Sequence, residues 1–333
     1  MSAKIFTDKD IDLAPLLDKT CAVIGYGAQG RAHALNLRDS GIRVVVGLLP
    51  KSQSRVRARH DGLRLTTTAA AVRRADLIFL ALPDTKMAEV FTKEIAPHLQ
   101  SRQVLLFAHG FAIHYRTIIP PKDVDVIMVA PKGLGPMVRT QFVAGGGVPC
   151  VVATQQDASG QARPLALAYA KAIGGARAGV IETTFREETE ADLFAEQAVL
   201  CGGMSALVQA GFEVLVEAGY QPEVAYFECL HELKFIVDLM HREGIRGMRE
   251  RISETAKWGD ITAGPKIIDA SVKARMKELL EEIASGQFAR KWLRESATGK
   301  KRYHRLLEQA ARQPIEKVGA RLRERMPWLE QEP

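Results

Sequence analysis

The chain has 333 residues, of which 47% are hydrophobic and 26% are charged, and its formal net charge is +7. Such a length allows two domains, each with its own hydrophobic core. We expect a cytoplasmic protein that does not span a membrane, because no run of about 18 apolar residues occurs and the N-terminus lacks the apolar segment of a secretory signal. Basic residues are interleaved with acids, which argues against nucleic-acid binding. The excess of positive charge suits small anionic ligands as well as it suits nucleic acid.

The first half of the chain alternates short β-branched segments with helical patterns, which is typical of a parallel sheet with crossover helices. Strands are predicted at residues 20–24, 43–46, 77–81, 104–107, 124–130 and 148–153. The strand pattern stops shortly before Glu187, and the boundary rests on that change alone. We therefore expect an α/β domain over residues 1–183.

The loop after the first predicted strand is a glycine-rich turn that leads into a helix. It reads Gly25-Tyr26-Gly27-Ala28-Gln29-Gly30. Glycines in this context allow a tight turn, close approach of the backbone to a pyrophosphate, and packing of the helix on the strand. We therefore predict a Rossmann-like domain in which these residues bind a dinucleotide; a glycine turn without a ligand is the alternative.

The end of the second predicted strand bears on the choice of dinucleotide. A protein that binds NAD is expected to place an acid there, which accepts hydrogen bonds from the ribose. Residues 46–55 contain no acid and offer hydroxyls and positive charge instead. Ser52 and Ser54 are therefore predicted to bind the 2′-phosphate of NADPH, whereas Arg55 could equally lie on the solvated face of the next helix. Asp84 and Gly135 complete the predicted cofactor-binding residues.

Two residues stand just beyond the ends of predicted strands, where open α/β sheets bind ligands. His109 follows the strand at 104–107, and Lys132 follows the strand at 124–130. A lone His or Lys in such a loop is often structural or solvated. Both are nevertheless predicted to be catalytic, because hydride transfer at a carbonyl needs a proton donor and a stabilising cation.

The second half of the chain shows helix-like periodicity in place of strands. Helices are predicted at residues 192–217, 222–241, 266–285, 287–295 and 314–326. An all-helical domain over residues 184–329 is therefore expected.

Four carboxylates in this helical region form two pairs, Asp192 with Glu196 and Glu228 with Glu232. Residues four apart project from the same face of a helix, so each pair presents oxygen ligands to one point. Hard cations such as Mg²⁺ prefer these ligands. The alternatives are that Thr189 caps a helix and bonds with Asp192 in a capping box, and that the second pair lies on a solvated stripe.

The strings quoted so far belong to a longer pattern that resembles ketol-acid reductoisomerase of the short bacterial class I type. The resemblance covers about residues 5–328. It is carried by the segments 25–30, 107–111, 129–133, 181–185, 196–203 and 225–233. It implies a Rossmann domain followed by a knotted helical domain, with active sites shared between the subunits of a homodimer or of a higher assembly built from it.

The resemblance also implies a reaction and residue roles. Family members convert 2-acetolactate or 2-aceto-2-hydroxybutyrate into the 2,3-dihydroxy acids of the valine and isoleucine pathway, by an alkyl migration that needs Mg²⁺ and a reduction by NADPH. By this resemblance Asp192 bridges two Mg²⁺ ions, Glu196 binds one, and Glu228 and Glu232 of the partner bind the other. Ser253 matches the family's substrate-binding serine.

The chain also departs from the family pattern. Leu49 stands where many relatives carry Arg, Ala28 where Ser is usual, Ala112 where Asn is frequent, and Pro136 where His is common. These changes leave an alternative open: an NADP-dependent hydroxyacid or imine reductase paralogue of a specialised pathway. Metal dependence separates the two hypotheses, because simple ketone reduction needs no pair of cations.

Overall fold

The structure, a computed structural model, describes residues 3–331. The chain divides into two compact units, one ending at Thr189 and the other beginning at Glu190. The first holds the sheet and the second is helical, so the predicted Rossmann-like domain and the predicted helical domain are confirmed.

The first unit is built on one nine-stranded sheet with the order β1-β9-β8-β7-β6-β5-β2-β3-β4. From β4 to β7 neighbouring strands are parallel, in the order of a dinucleotide-binding Rossmann sheet. Strands β1 to β9 comprise Ile5–Phe6, Thr20–Ile24, Arg43–Gly47, Arg64–Thr66, Leu77–Leu80, Val104–Phe107, Asp125–Pro131, Cys150–Gln156 and Val180–Glu182.

One edge of the sheet departs from the parallel arrangement that the sequence predicts. Strand β8 is antiparallel to β7, and β1 is antiparallel to β9. Cys150 at the start of β8 pairs with Pro131 at the end of β7. The chain therefore re-enters the sheet at the end where it left, and the new strand must run in the opposite direction.

Helices cover both faces of this sheet. Leu77 and Phe79 of β5 belong to the core on one face, whereas Ile78 and Leu80 belong to the core on the other. Such a strand is apolar throughout because both of its faces are buried. The helical segments of this unit are Ala14–Leu17, Ala28–Asp39, Ser54–His60, Thr68–Arg74, Asp84–Val90, Phe91–Ile95, Ala96–His98, Phe111–His114, Gly135–Val143, Ala162–Ala172 and Gly175–Arg177.

The helical unit has a smaller core, around Phe212, Tyr226 and Ile315. Its helices are broken more often than the sequence predicts: the predicted helix 266–285 begins at Ala270, after a separate helix that was not predicted. Phe185–Ala195 leads from the first unit into Glu196–Leu200, Gly202–Glu217, Pro222–Tyr226, Phe227–His231, Glu232–Arg251, Glu254–Ile267, Ala270–Ala284, Gln287–Ala297, Lys301–Ala311, Pro314–Arg323 and Pro327–Gln331.

One helical run, Phe185–Glu217, is long and apolar enough to cross a membrane by length and composition alone. Only 11% of its most apolar window is buried in the single chain. The run also contains Asp192, Glu196 and Glu213, and charged side chains are costly in lipid. The exposed apolar surface is therefore a feature that a function must explain.

Candidate active site

The glycine turn packs tightly against the sheet. Gly25 has φ +99°, and a Cβ there would overlap the carbonyl oxygen of Ala81. A Cβ on Gly30 would lie 2.5 Å from the carbonyl oxygen of Gly25. Gly27 caps the helix Ala28–Asp39, so the amides of that helix N-terminus are placed to meet an anionic group such as a pyrophosphate.

Tyr26, a predicted cofactor-binding residue, has its side chain in the core. Its hydroxyl donates to Asp61 Oδ2 at 2.8 Å, and Arg31 Nε donates to the same oxygen at 2.7 Å. Burial, followed by the Asp61 hydrogen bond, raises the pKa of Tyr26. The hydrogen bond from Arg31 is the main reason that the pKa of Asp61 falls to about 2. The Tyr26 side chain therefore anchors the turn, which leaves its backbone for any contact with a cofactor.

The loop after β7 lies against the glycine turn. A Cβ on Gly135 would overlap the backbone of Ala28. Gln29 Nε2 donates to the carbonyl oxygen of Gly133 at 3.0 Å. The structure thus brings Ala28, Gln29 and Gly135 of the predicted cofactor set together.

The other predicted cofactor residues lie after neighbouring strands. Ser52 follows β3, and its amide donates to the carbonyl oxygen of Leu49 at 3.0 Å. Ser54 and Asp84 begin the helices Ser54–His60 and Asp84–Val90. Arg55 Nη1 donates to the carbonyl oxygen of Leu48 at 3.1 Å, so its guanidinium is held at the end of β3.

The two predicted catalytic residues, His109 and Lys132, meet on a third side chain, Glu188. Glu188 accepts hydrogen bonds from Lys132 Nζ at 2.8 Å and from the amide of Gly110 at 2.9 Å. It also lies 3.0 Å from His109 Nδ1. Because β6 and β7 are parallel neighbours, His109 and Lys132 leave the sheet at the same end. We name His109, Lys132 and Glu188 the ionic cluster.

The Glu188 carboxylate is 1% exposed, yet it stays ionised. Burial alone would raise the pKa of Glu188, but hydrogen bonds and positive charge from His109 and Lys132 outweigh it and lower the pKa to about 2. An ionised carboxylate only accepts hydrogen bonds, so His109 carries a proton on Nδ1. The cluster can therefore present a fixed cation beside an imidazole that transfers protons at Nε2.

The start of the helix that carries Glu188 bears on the capping box that the sequence analysis gave as an alternative. Thr184 Oγ1 accepts from the amide of Glu187 at 3.0 Å at the first turn. Thr189 lies inside the helix, where its hydroxyl donates to the carbonyl oxygen of Phe185 at 2.6 Å. The hypothesis that Thr189 caps the helix in a box with Asp192 is therefore wrong.

The four predicted metal-binding carboxylates are not gathered by one chain. Asp192 is half-buried, whereas Glu196, Glu228 and Glu232 are exposed. Within residues 3–331, no three of these four lie close enough to hold one ion together. Their chemistry fits Mg²⁺, since every donor is a hard carboxylate oxygen.

Ser253, the predicted substrate-binding residue, caps the helix Glu254–Ile267. Its Oγ accepts a hydrogen bond from the amide of Ala256 at 3.1 Å. Its hydroxyl hydrogen is not used in that bond, so the serine can cap and still donate to a ligand.

Glu188 was missed by reasoning from the sequence. It stands within Glu187-Glu188-Thr189-Glu190, where nothing in composition distinguishes one acid from the next. The available signal is helical spacing: Glu188 is four residues before Asp192 and three after the buried Phe185, so it shares their side of the helix.

The Rossmann sheet, the glycine turn, the ionic cluster at the strand ends and the appended helical unit together define a dinucleotide-dependent oxidoreductase. Residues 15–179 match the family model described as the NADPH-binding domain of acetohydroxy acid isomeroreductase. Residues 185–328 match the one described as the C-terminal domain of ketol-acid reductoisomerase. The chain belongs to the ketol-acid reductoisomerase family.

Individual relatives agree with this assignment. The chain is 57% identical over 330 residues to the ketol-acid reductoisomerase (NADP(+)) of Saccharopolyspora erythraea, covering 99% of each protein. A solved NADH-preferring ketol-acid reductoisomerase from an uncultured archaeon superposes with a TM-score of 0.94 at 46% identity, over 96% of this chain and 98% of that one. A semialdehyde dehydrogenase NAD-binding protein from Cupriavidus necator shares only the fold, with a TM-score of 0.61 at 20% identity, over 80% of this chain and 98% of that one.

Proposed function

We propose that the protein converts 2-acetolactate or 2-aceto-2-hydroxybutyrate into 2,3-dihydroxy-3-methyl acids for branched-chain amino-acid biosynthesis, using NADPH and two Mg²⁺ ions. Its 57% identity to a named ketol-acid reductoisomerase over nearly the whole chain supports this reaction. The structural observation that carries it is the ionic cluster, in which Lys132 and His109 are held by Glu188 at the carboxyl end of the parallel sheet.

The reaction places two demands on the site. The tertiary hydroxyl must lose a proton while an alkyl group moves from C2 to C3, and the new ketone at C2 must then be reduced. When bound, the two cations would stabilise negative charge on the hydroxyl and ketone oxygens, and NADPH would supply the hydride. Asp192 and Glu196 of one chain, with Glu228 and Glu232 of a second, would hold the cations.

The ionic cluster serves the proton transfers. Glu188 fixes the Lys132 ammonium, whose positive charge can stabilise an oxygen that becomes negative. It also fixes the protonated Nδ1 of His109, so Nε2 can take up or return a proton without a change of tautomer at Nδ1. Ser253, with its hydroxyl hydrogen available, would bind the substrate.

The preferred cofactor is proposed to be NADPH. Ser52 and Ser54 lie after β3 with partly exposed side chains, where they can donate to a 2′-phosphate. The related structure described as NADH-preferring makes the ratio of the two cofactors a quantity to measure.

The working assembly is proposed to be a homodimer with shared active sites, in the cytoplasm. Val214 is 64% exposed and Leu200 65% exposed on the apolar run Phe185–Glu217. Lipid is a poor partner for this surface, because the same run carries Asp192 and Glu196. A second copy of the chain would cover the apolar side chains and bring the missing carboxylates.

Product analysis tests the proposal. The protein is incubated with 2-acetolactate, Mg²⁺ and either NADPH or NADH, and the diol is identified by mass spectrometry and NMR. The proposal predicts 2,3-dihydroxy-3-methylbutanoate, and no product after chelation with EDTA. The unrearranged diol formed with EDTA present would instead identify a simple ketone reductase, and no diol under any condition would reject the reaction.

A further inference from the structure

The described part of the helical unit has two π-helical turns, and both contain proposed metal ligands. In the π-helical turn Glu196–Leu200, the amide of Cys201 donates to the carbonyl oxygen of Glu196 at 3.1 Å, five residues earlier. In the second, Phe227–His231, the amide of Glu232 donates to the carbonyl oxygen of Phe227. Such turns accommodate one extra residue and are frequently found at functional sites.

Two glycines, Gly202 and Gly203, follow the first of these turns after Cys201. A Cβ on Gly202 would overlap the carbonyl oxygen of Gln197, and a Cβ on Gly203 would overlap that of Ala198. Both oxygens belong to residues five positions earlier, so the overlaps arise from the π-helical turn itself. Any other residue at these two positions would force the backbone of the turn to move.

Apart from the turn, Gly202 and Gly203 are unfavourable for helix stability. Each glycine inside a helix costs about 0.8 to 1.0 kcal/mol relative to alanine. Gly264, by contrast, lies in the helix Glu254–Ile267 with open space around its Cβ position. Alanine would therefore fit at Gly264, whereas the π-helical turn itself requires glycine at positions 202 and 203.

We propose that Gly202 and Gly203 are positioning residues for the divalent cations. They permit the π-helical turn that begins at Glu196. Asp192 lies in the α-helical segment Phe185–Ala195 before the turn, so a backbone shift in the turn would move the Glu196 carboxylate relative to Asp192. This inference rests on the proposed function, because it assumes that Asp192 and Glu196 hold the ions. It adds that Gly202 and Gly203, which have no side-chain ligand atoms, determine whether Asp192 and Glu196 can bind the ions.

The test measures metal affinity separately from activity. Gly202→Ala and Gly203→Ala proteins are titrated with Mn²⁺, and the unbound ion is followed by electron paramagnetic resonance. Each substitution is expected to weaken Mn²⁺ binding by about ten- to a hundredfold, the usual effect of losing a group that orients a ligand. The Kd for NADPH should be unchanged and the helical circular dichroism equal to or above that of the parent. Gly264→Ala is the matched control and should leave the Mn²⁺ affinity unchanged.

A second variant tests the inference in case the proteins with glycine substitutions do not fold. Deleting the exposed Leu200 removes the extra residue of the turn and lets the flanking segments join as one α-helix. Mn²⁺ binding should weaken in this variant as well, with NADPH binding and the mass of the dimer unchanged, since Leu200 also lies on the surface proposed to contact the second copy.

Parent-like Mn²⁺ affinity in folded variants would overturn the inference, as would a fall in Mn²⁺ affinity that only follows a loss of thermal stability. An Asp192→Asn protein that binds Mn²⁺ as well as the parent would instead overturn the proposed metal site, and the inference with it.

Discussion

The two groups of predicted site residues differ in whether the side chains of a single chain are brought together. His109 and Lys132 of the sheet unit meet on Glu188, whose carboxylate is 1% exposed and fully engaged. Glu196, Glu228 and Glu232 of the helical unit stay exposed. Charges that contact opposite charges inside one fold can be buried. Carboxylates that are proposed to bind a cation can remain exposed to water until the ion binds, because burying a charge without compensation would cost several kcal/mol.

The largest effect is expected from Asp192→Asn. The change keeps the shape of the side chain but removes the charge of the proposed bridging ligand, so the migration step should be abolished. Turnover of 2-acetolactate and Mn²⁺ binding are the measurements. NADPH binding should be unaffected and serves as the control, and near-normal turnover in the folded variant would exclude a bridging role for Asp192.

Glu188→Gln should lower kcat by about a hundredfold or more, because the neutral amide cannot hold both His109 and Lys132 in place and removes the negative charge that both residues contact. Glu187→Gln is the matched control, since Glu187 is the exposed neighbour and its carboxylate accepts a hydrogen bond from Thr183 Oγ1, outside the ionic cluster. Equal activity in the two variants would show that the ionic cluster is structural.

The free energy of unfolding should depend on pH through the ionised Glu188 of the ionic cluster. The pKa of Glu188 falls from 4.5 to about 2 in the folded protein, so its contribution is fully present above about pH 4.5 and is lost as the pH falls towards 2. The contribution at neutral pH is on the order of 3 kcal/mol. Urea unfolding of the parent and Glu188→Gln should therefore differ most at neutral pH and converge in acid; a difference that is constant with pH would contradict the ionised state.

The smallest expected effect concerns the cofactor. Ser52→Asp with Ser54→Asp should shift the ratio of kcat/KM towards NADH by about a hundredfold, because the carboxylates repel the 2′-phosphate and accept from the ribose. Gln53→Asp adds a charge at the exposed position between them and should shift the ratio less. A parent that already favours NADH would show that this loop does not recognise a phosphate.

Prediction from the sequence succeeded where local patterns decide the structure. The run before Gly25 and the strands that precede His109 and Lys132 are apolar, short and followed by turn residues, so their ends could be located. Strands β4 and β9 were missed because each has three residues and is defined by its neighbours in the sheet.

The site itself was predictable only in part. Nothing in the sequence marks Glu188 as buried, because its position depends on a contact with His109, 79 residues earlier. The π-helical turns at Glu196 and Phe227 were also missed, since one extra residue in a helix hardly changes the apolar pattern.

Each active site is proposed to take Asp192 and Glu196 from one chain and Glu228 and Glu232 from another. Inactive Glu196→Gln and Glu232→Gln proteins are mixed under conditions of subunit exchange, which is verified with mass-tagged chains, and turnover of 2-acetolactate is measured. Random exchange gives one intact site in each mixed dimer, so recovery to about a quarter of the parent activity is expected. No recovery, with mixed dimers demonstrated, would show that each chain builds its own site.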